Sequence, residues 1–513
     1  LVAFSAFTWV ESAAAPQITG VQPLGIVPGT RTVVTFEGRD LAGISKLWTS
    51  FPSEAALIPG GSEGEVTFAV TCPAEVRGVQ AVQLVGTNGA TAFRLVLIDH
   101  LKVFQTSQVK KEALNLLPPI AVDSAATQER IDYYALEAKA GQNFSIEAIA
   151  HRIGSQMDPV VTVRDATGKE VAFCEDEPGI WRDARFRFTA PLDGAYQLAV
   201  HDTAFNGGRN HYYRLRVSDD PLVWSTFPLV DPAERGARLE TLGVGERGTQ
   251  GSPANPPESV LIPGVPQMGE IEPNDSSAQA QELPTFVVIN GKLQNGWDVD
   301  WYHFQAAKDQ RLIFRSQTRA LGSACDLVLR IRDQHGAIVK ENDPGAAGDA
   351  SLTNKFDAAG RYYLEVRELS GMGITNAAYR IQVKDFAPGF ELLAEDNIVE
   401  VTPGGNAKLK VSAARFDYDG PIDLKVEPEL PGLALEGNFI AEGKKEAEMT
   451  VKAAETATPG TYQVVKFTGD SSGGQQNIFA DVSTRSALRK TFPLLLSPPQ
   501  FLDGLITIVI REK

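Results

Sequence analysis

Six oxygen-bearing side chains crowd two short stretches of the sequence. Glu270, Glu272, Asn274 and Asp275 lie within six residues of one another, and Asp298 and Asp300 follow downstream. In an extended segment residues two apart share a face, so Glu270 with Glu272, and Asp298 with Asp300, can each point the same way. Converging carboxylates repel one another unless a cation neutralises them, and an all-oxygen set suits Ca²⁺ far better than zinc. One calcium site built from these six residues is therefore expected. The competing reading is a solvated acidic linker beside a DxD turn.

Other chemistry is poorly supported. GDSSGG (469–474) is similar to the nucleophile loop of serine proteases, but an extra Ser interrupts it and no fitting His motif precedes it. A Ser-Gly hairpin or loop is expected there. The six His, at 100, 151, 201, 211, 303 and 335, include no HxH, HxxxH or HExxH spacing, which leaves a zinc hydrolase without ligands. Paired acids are plentiful, yet sequence does not distinguish a glycosidase pair from surface carboxylates. No enzyme activity is expected. Cys72, Cys174 and Cys325 form no CxxC and read as small buried hydrophobes. The net charge of −16, from 48 Lys+Arg against 64 Asp+Glu, opposes binding to nucleic acid or anionic lipid and makes cations the natural ionic partners.

Short alternating runs, such as TVVTFEG (32–38), FRLVLI (93–98), YQLAV (196–200) and YYLEV (362–366), sit between Gly, Pro, Asn and Asp clusters and read as strands. The best helical candidate is KKEALNLL (110–117), with one turn expected in SSAQAQEL (276–283). A chain of 513 residues with 46 Gly and 31 Pro fits three to five domains, all-β, as tandem β-sandwiches joined by linkers. No stretch is long and apolar enough to span a membrane as a helix.

The chain also repeats itself. At an offset of 168, Asp132-Tyr133-Tyr134 falls on Asp300-Trp301-Tyr302, Asp158 to Asp165 falls on Asp326 to Asp333, and Phe188 falls on Phe356. After a two-residue slip Tyr196, Leu198 and Val200 match Tyr362, Leu364 and Val366, and Tyr213, Leu215 and Val217 match Tyr379, Ile381 and Val383. The matched positions alternate along strands, as a shared β fold requires. Among the aromatics Trp181, Tyr212, Tyr213, Trp301, Tyr302, Tyr362, Tyr363 and Tyr379, those that recur belong to the core on this reading, as does Tyr196. The non-recurring Trp181 is the candidate for a binding face. At the same offset Arg130 stands where the second repeat has Asp298, and KVFQTS (102–107) stands where it has its acidic lead-in, so the first repeat is expected to lack the cation site.

The motifs EIEPNDS (270–276), GWDVDWYHF (296–304), CDLVLRIRDQHG (325–336), END (341–343) and GRYYLEV (360–366) resemble the bacterial pre-peptidase C-terminal (PPC) domain, a jelly-roll-like sandwich of secreted enzymes and surface proteins. The first repeat keeps the later elements without the EPND lead-in. The collagen-binding domains of bacterial collagenases are similar to the second repeat, and that resemblance implies calcium held by Glu270, Glu272, Asn274, Asp275, Asp298 and Asp300. Residues 16–43 resemble the opening of an IPT/TIG immunoglobulin-like domain, and 388–485 is similar to secreted Ig-like domains with PGG and PGxY turns. The implied order is a signal-peptide remnant (1–15), IPT/TIG-like domain (16–105), PPC-like domain (106–219), Pro/Gly-rich linker with a degenerate IPT/TIG fragment as its alternative reading (220–266), second PPC-like domain (267–386), Ig-like domain (387–485) and tail (486–513). Such tandem arrangements look like those of planctomycete-type secreted proteins.

These readings point to a secreted, periplasmic or cell-surface protein. Its expected work is non-catalytic: adhesion, matrix assembly or polymer binding, with an extracellular polymer or surface protein as partner. The alternative is an accessory region of a secreted peptidase or other hydrolase whose catalytic domain lies outside this chain. Self-assembly through sandwich edges is a third reading.

Overall fold

A computed structural model describes residues 15–101, 103–105, 113–177, 182–220, 222–227, 240–244, 265–295, 297–319, 323, 325–343, 349–369, 377–471, 477–495 and 497–513. The fold is all-β. Among the described residues four sandwiches occupy residues 17–98, 103–218, 267–385 and 389–510, and a two-stranded ribbon, Leu222–Phe227 against Glu240–Val244, falls between the second and third in sequence. Among the described residues no helix is long and apolar enough to cross a membrane.

The second and third sandwiches share one strand order in both of their five-stranded sheets. In the third, Gln267–Gly269, Val287–Leu293, Ala377–Asp385, Arg311–Gln317 and Ser351–Lys355 form one sheet, and Gln281–Glu282, Val299–Ala306, Gly360–Glu368, Leu327–Arg332 and Ile338–Asn342 form the other. Period-two alternation places Tyr302, Phe304, Leu329, Leu364, Val366, Tyr379 and Ile381 inside. The second sandwich buries Tyr134, Leu136, Val161, Val163, Leu198, Val200, Tyr213 and Leu215 in the same way.

One expectation is corrected. Leu114–Leu116, within the helical candidate 110–117, is a strand parallel to Asp132–Ala138, with Leu116 buried; residues 110–112 lie outside the described residues. A run this short fits either periodicity, and pairing with a neighbouring strand decides it. The tail 486–513, whose readings include a terminal strand pair, supplies a strand to the last sandwich. Leu505–Ile510 pairs with Ile398–Val401 and Tyr462–Ser471 inside the last sandwich, and Arg485–Thr491 forms an α-helix. In SSAQAQEL a turn closed by Gln279 N donating to Ser276 O precedes the strand Gln281–Glu282.

The first sandwich is joined to the last and to the second by unlike interfaces. The first meets the last through an apolar seam in which Ala81, Phe93 and Leu95 pack on Leu488, Phe492 and Leu502. Beside it Thr507 Oγ1 donates to Gln83 Oε1 over 2.7 Å, between residues 424 positions apart.

The first meets the second through an apolar cluster, Leu24 and Leu97 on Ile149, Ile153 and Tyr212, and through Asp99, at the end of the first sandwich, which enters a ladder of charges in the second. Arg214, fully buried, donates from Nε to Asp123 (2.7 Å) and from Nη1 to Asp99 (3.5 Å); Arg216 joins Asp99 (3.0 Å) to Glu147 (2.6 Å); Arg152 joins Glu147 to Asp183 (2.6 Å). Asp123 also accepts Leu24 N from the first sandwich at 2.8 Å. Gly25 permits this approach, since a Cβ there would stand 1.8 Å from Arg214 Nη1.

Burial works to raise the Glu147 carboxyl, but Arg152, Arg216 and Arg185 outweigh it and hold it well below the usual range. A carboxyl lowered in the folded state contributes stability above its ordinary value near 4.5 and loses it as pH falls below that value. Thermal unfolding followed between about pH 5 and about pH 3 should therefore show a steep loss of stability, and Glu147→Gln should flatten that slope. An unchanged slope in the variant would remove Glu147 as its source.

Candidate metal centre

The third sandwich gathers its acids at one end. The edge strand Gln267–Gly269 runs parallel to Val287–Leu293 and leads into the segment 270–275, which lies against the start of Val299–Ala306. Trp301 N donates to Asn274 O (2.8 Å), pinning the segment to that strand. Alternation then turns Asp298 and Asp300 inward, where both are buried.

One carboxyl oxygen each from Glu272, Asp298 and Asp300 lies within 4.8 Å of the others. Two ligands of a common Ca²⁺ stand at most about 5 Å apart, so the spacing fits one ion. The Asn274 side chain is buried against the same group, 3.1 Å from Asp300 and 3.2 Å from Glu272. With nitrogen inward it donates to both carboxylates; with oxygen inward it adds a ligand to a bound cation. Asp275, exposed, sits beside Asp298 and adds to the rise of its carboxyl, after burial and the charge of Glu272.

Glu270 lies behind this trio. Its carboxylate accepts Lys292 N (2.8 Å) and Gln294 Nε2 (3.1 Å) and adjoins Asp300. Burial first, and then a neighbouring charge, Glu272 for Glu270 and Glu270 for Asp300, pushes both carboxyls above the carboxylate range, Asp300 the further of the two. Ionising this cluster fully therefore calls for a counter-charge. Glu272, Asp298, Asp300 and Asn274 provide hard oxygen donors for one, with Glu270 and Asp275 flanking.

Beneath the acids lies a relay that the sequence reading assigned only to packing. Tyr302 and Tyr379 hydroxyls meet at 2.6 Å, and Tyr379 donates to Asp300. The second sandwich repeats it: Tyr134 and Tyr213 meet at 2.5 Å, and Tyr213 donates to Asp132 at 2.6 Å. The difference lies one strand over. Gly291 pairs with Tyr379, and Ser124 with Tyr213. A Cβ at Gly291 would stand 2.2 Å from the Tyr379 ring and 2.5 Å from Glu270 Oε2, so glycine makes the room that Glu270 fills. In the second sandwich the Ser124 hydroxyl occupies that room, 3.4 Å from Asp132, and Arg130 is exposed. Of KVFQTS, Val103–Gln105 forms the strand parallel to Ile120–Ala125, and its remaining residues lie outside the described residues.

Gly291→Ala should displace Glu270 and cost roughly 1–3 kcal/mol of stability through overpacking. Equilibrium unfolding in urea measures this; a variant within experimental error of the parent would show that the space is not needed.

The remaining singled-out residues are dispersed. Tyr196, Tyr212, Tyr213, Tyr302 and Tyr379 are buried, Tyr362 and Tyr363 are half-buried, and Trp181 lies outside the described residues. Trp301 is half-buried on the outer face, edge-on to Tyr363 at 6.1 Å. Trp297, which sequence did not single out, is the exposed aromatic beside the acids, at 85%. Gly469, Asp470 and Ser471 of GDSSGG continue the strand Tyr462–Ser471, and 472–474 lie outside the described residues. Burial raises all three thiols, and all three cysteines are unpaired.

No protein-family model matches the chain. A stretch of 71 residues is 35% identical to part of a probable subtilase-type serine protease of Deinococcus radiodurans; it makes up 14% of this chain and 10% of that protein's length. Among solved structures, the pre-peptidase C-terminal domain of a Bacillus anthracis collagenase aligns over 22% of this chain and 99% of its own, at 15% identity and a TM-score of 0.18. A β-glucuronidase of Bifidobacterium dentium aligns over 36% of this chain and 39% of its own, at 11% identity and a TM-score of 0.20.

Proposed function

We propose that the chain is a non-catalytic, modular β protein of the cell exterior that binds extracellular material, with a third sandwich of PPC type stabilised by one calcium ion. The observation that carries this reading is the convergence of Glu272, Asp298 and Asp300 on one point. Two buried carboxylates and an exposed one held this close are costly without a cation, and the oxygen-only donor set selects a hard one. Asn274 completes the inner group, and Glu270 and Asp275 support it.

The binding partner on this reading is a polymer or surface protein outside the cell. Purified chain should be retained on at least one of an insoluble polysaccharide, a collagen-like peptide matrix and cell-surface material in calcium, and released by chelator. Passage through all three in either condition would end the adhesion reading.

A second reading is favoured by the 71-residue resemblance to part of a probable subtilase-type serine protease: the chain is then an accessory region of a secreted peptidase. A peptidase domain encoded in the same reading frame would support it. The calcium site serves either role, because it stiffens the sandwich that presents Trp297 and its neighbours.

A further inference from the structure

Where the first sandwich, the second sandwich and the C-terminal helix meet, two adjoining cavities of about 270 and 320 Å³ open side by side. Arg94, at the start of the strand Arg94–Ile98, lines both. Its guanidinium lies on the Tyr212 ring, 4.5 Å from the centroid. Its Nε and Nη2 are buried and have no hydrogen-bond partner among the described residues.

Those two nitrogens form one edge of the guanidinium, the fork that grips a carboxylate with two parallel hydrogen bonds. A buried donor pair without an acceptor costs free energy that an anion would recover. None of the described residues lining either cavity is acidic, in a chain whose net charge is −16. Gln156 and Asn210 add neutral polar groups on one side, whereas Phe492 and Leu495 supply an apolar wall on the other. Lys490 stands at the rim, where its ammonium donates to the Glu395 carbonyl (3.3 Å).

We infer that this junction is a binding site for a carboxylate carried on an apolar residue, namely the C-terminal end of a peptide. Arg94 grips the terminal carboxylate, Phe492 and Leu495 receive the last side chain, and Gln156 and Asn210 meet the preceding peptide group. An acidic sugar offers the same carboxylate but leaves the apolar wall facing hydroxyls, so the peptide is the better match. The site is separate from the calcium centre and stands whether or not that centre binds metal.

The test is calorimetric titration of the full chain with acetyl-Gly-Gly-Phe and with its C-terminal amide. The free acid should bind, and the amide at least about tenfold more weakly, as loss of a charge-assisted pair predicts. Arg94→Met, which keeps an unbranched stem beside Tyr212 but removes the guanidinium, should weaken the acid to the level of the amide. The acid–amide comparison on the unaltered chain decides the matter even if that variant folds poorly. Equal affinities, no binding of the acid, or binding of a digalacturonate in its place would overturn the assignment.

Discussion

Calcium added to the chelated protein at a hundredfold excess over its dissociation constant should raise the unfolding midpoint of the third sandwich by roughly 10 °C. The size follows from linkage: binding to the folded state alone contributes about 2.7 kcal/mol at that excess. The second sandwich is the built-in control. It keeps the Tyr134–Tyr213–Asp132 relay but has Ser124 in the place of Gly291, so its own transition should not move. Glu272→Gln with Asp298→Asn should abolish the shift by removing two of the three converging carboxylates.

The effect should also depend on pH with a definite sign. Glu270, Asp298 and Asp300 have carboxyls raised by burial. Without a cation, their contribution is most favourable below the ordinary carboxylate range and is lost as pH rises toward the raised values. Protons and calcium then compete, and the shift at about pH 8 should exceed that at about pH 5.5. Differential scanning calorimetry of parent and variant, with and without chelator, measures all of this. An equal response of both sandwiches, or of parent and variant, would dispose of the site.

Arg214→Ala should be the most damaging single change between the first two sandwiches, costing roughly 3–5 kcal/mol. The side chain is fully buried between Asp99 and Asp123. Truncation takes one guanidinium away from both buried carboxylates, leaving the Leu24 amide on Asp123 and Arg216 on Asp99. Arg214→Met combined with Asp99→Asn and Asp123→Asn should recover part of the loss, because burying neutral groups is less costly than burying unmatched charge. Urea unfolding of the three proteins gives the comparison. A cost below about 1 kcal/mol for Arg214→Ala would mean that the interface relaxes around the gap and the ionic ladder contributes little.

What sequence made legible was local. Alternation announced the strands, and spacing by two put Asp298 and Asp300 on one face, because side-chain direction in a strand depends only on the residues themselves. Two pairs of acids were found this way and the full set of five acids and one amide came from the family resemblance; the structure brings them to one end of one sandwich. What sequence hid depends on partners far along the chain. The fitness of Gly291 is visible only once Val287–Leu293 is known to pair with Ala377–Asp385, which sets Gly291 against Tyr379. The recurrence of Asp132, Tyr134 and Tyr213 as Asp300, Tyr302 and Tyr379 was a readable signal for the hydroxyl relay, but packing explained those tyrosines equally well. Leu505–Ile510 was set apart for the same reason: its neighbours begin at Ile398 and Tyr462, beyond the reach of any local pattern.

The seam between the first and last sandwiches sets a schedule for synthesis. Gln83 and Thr507 are 424 positions apart, so at ordinary translation rates the first sandwich emerges roughly 20 to 80 s before its counterpart exists. Throughout that interval Phe93 and Leu95 have no cover from Leu488 and Phe492. A nascent chain of this kind presents an oily patch on an already folded domain, which is the feature that holdase chaperones grip. Stop codons placed before Arg485 should therefore yield sticky, aggregating products even though three of the four sandwiches are intact.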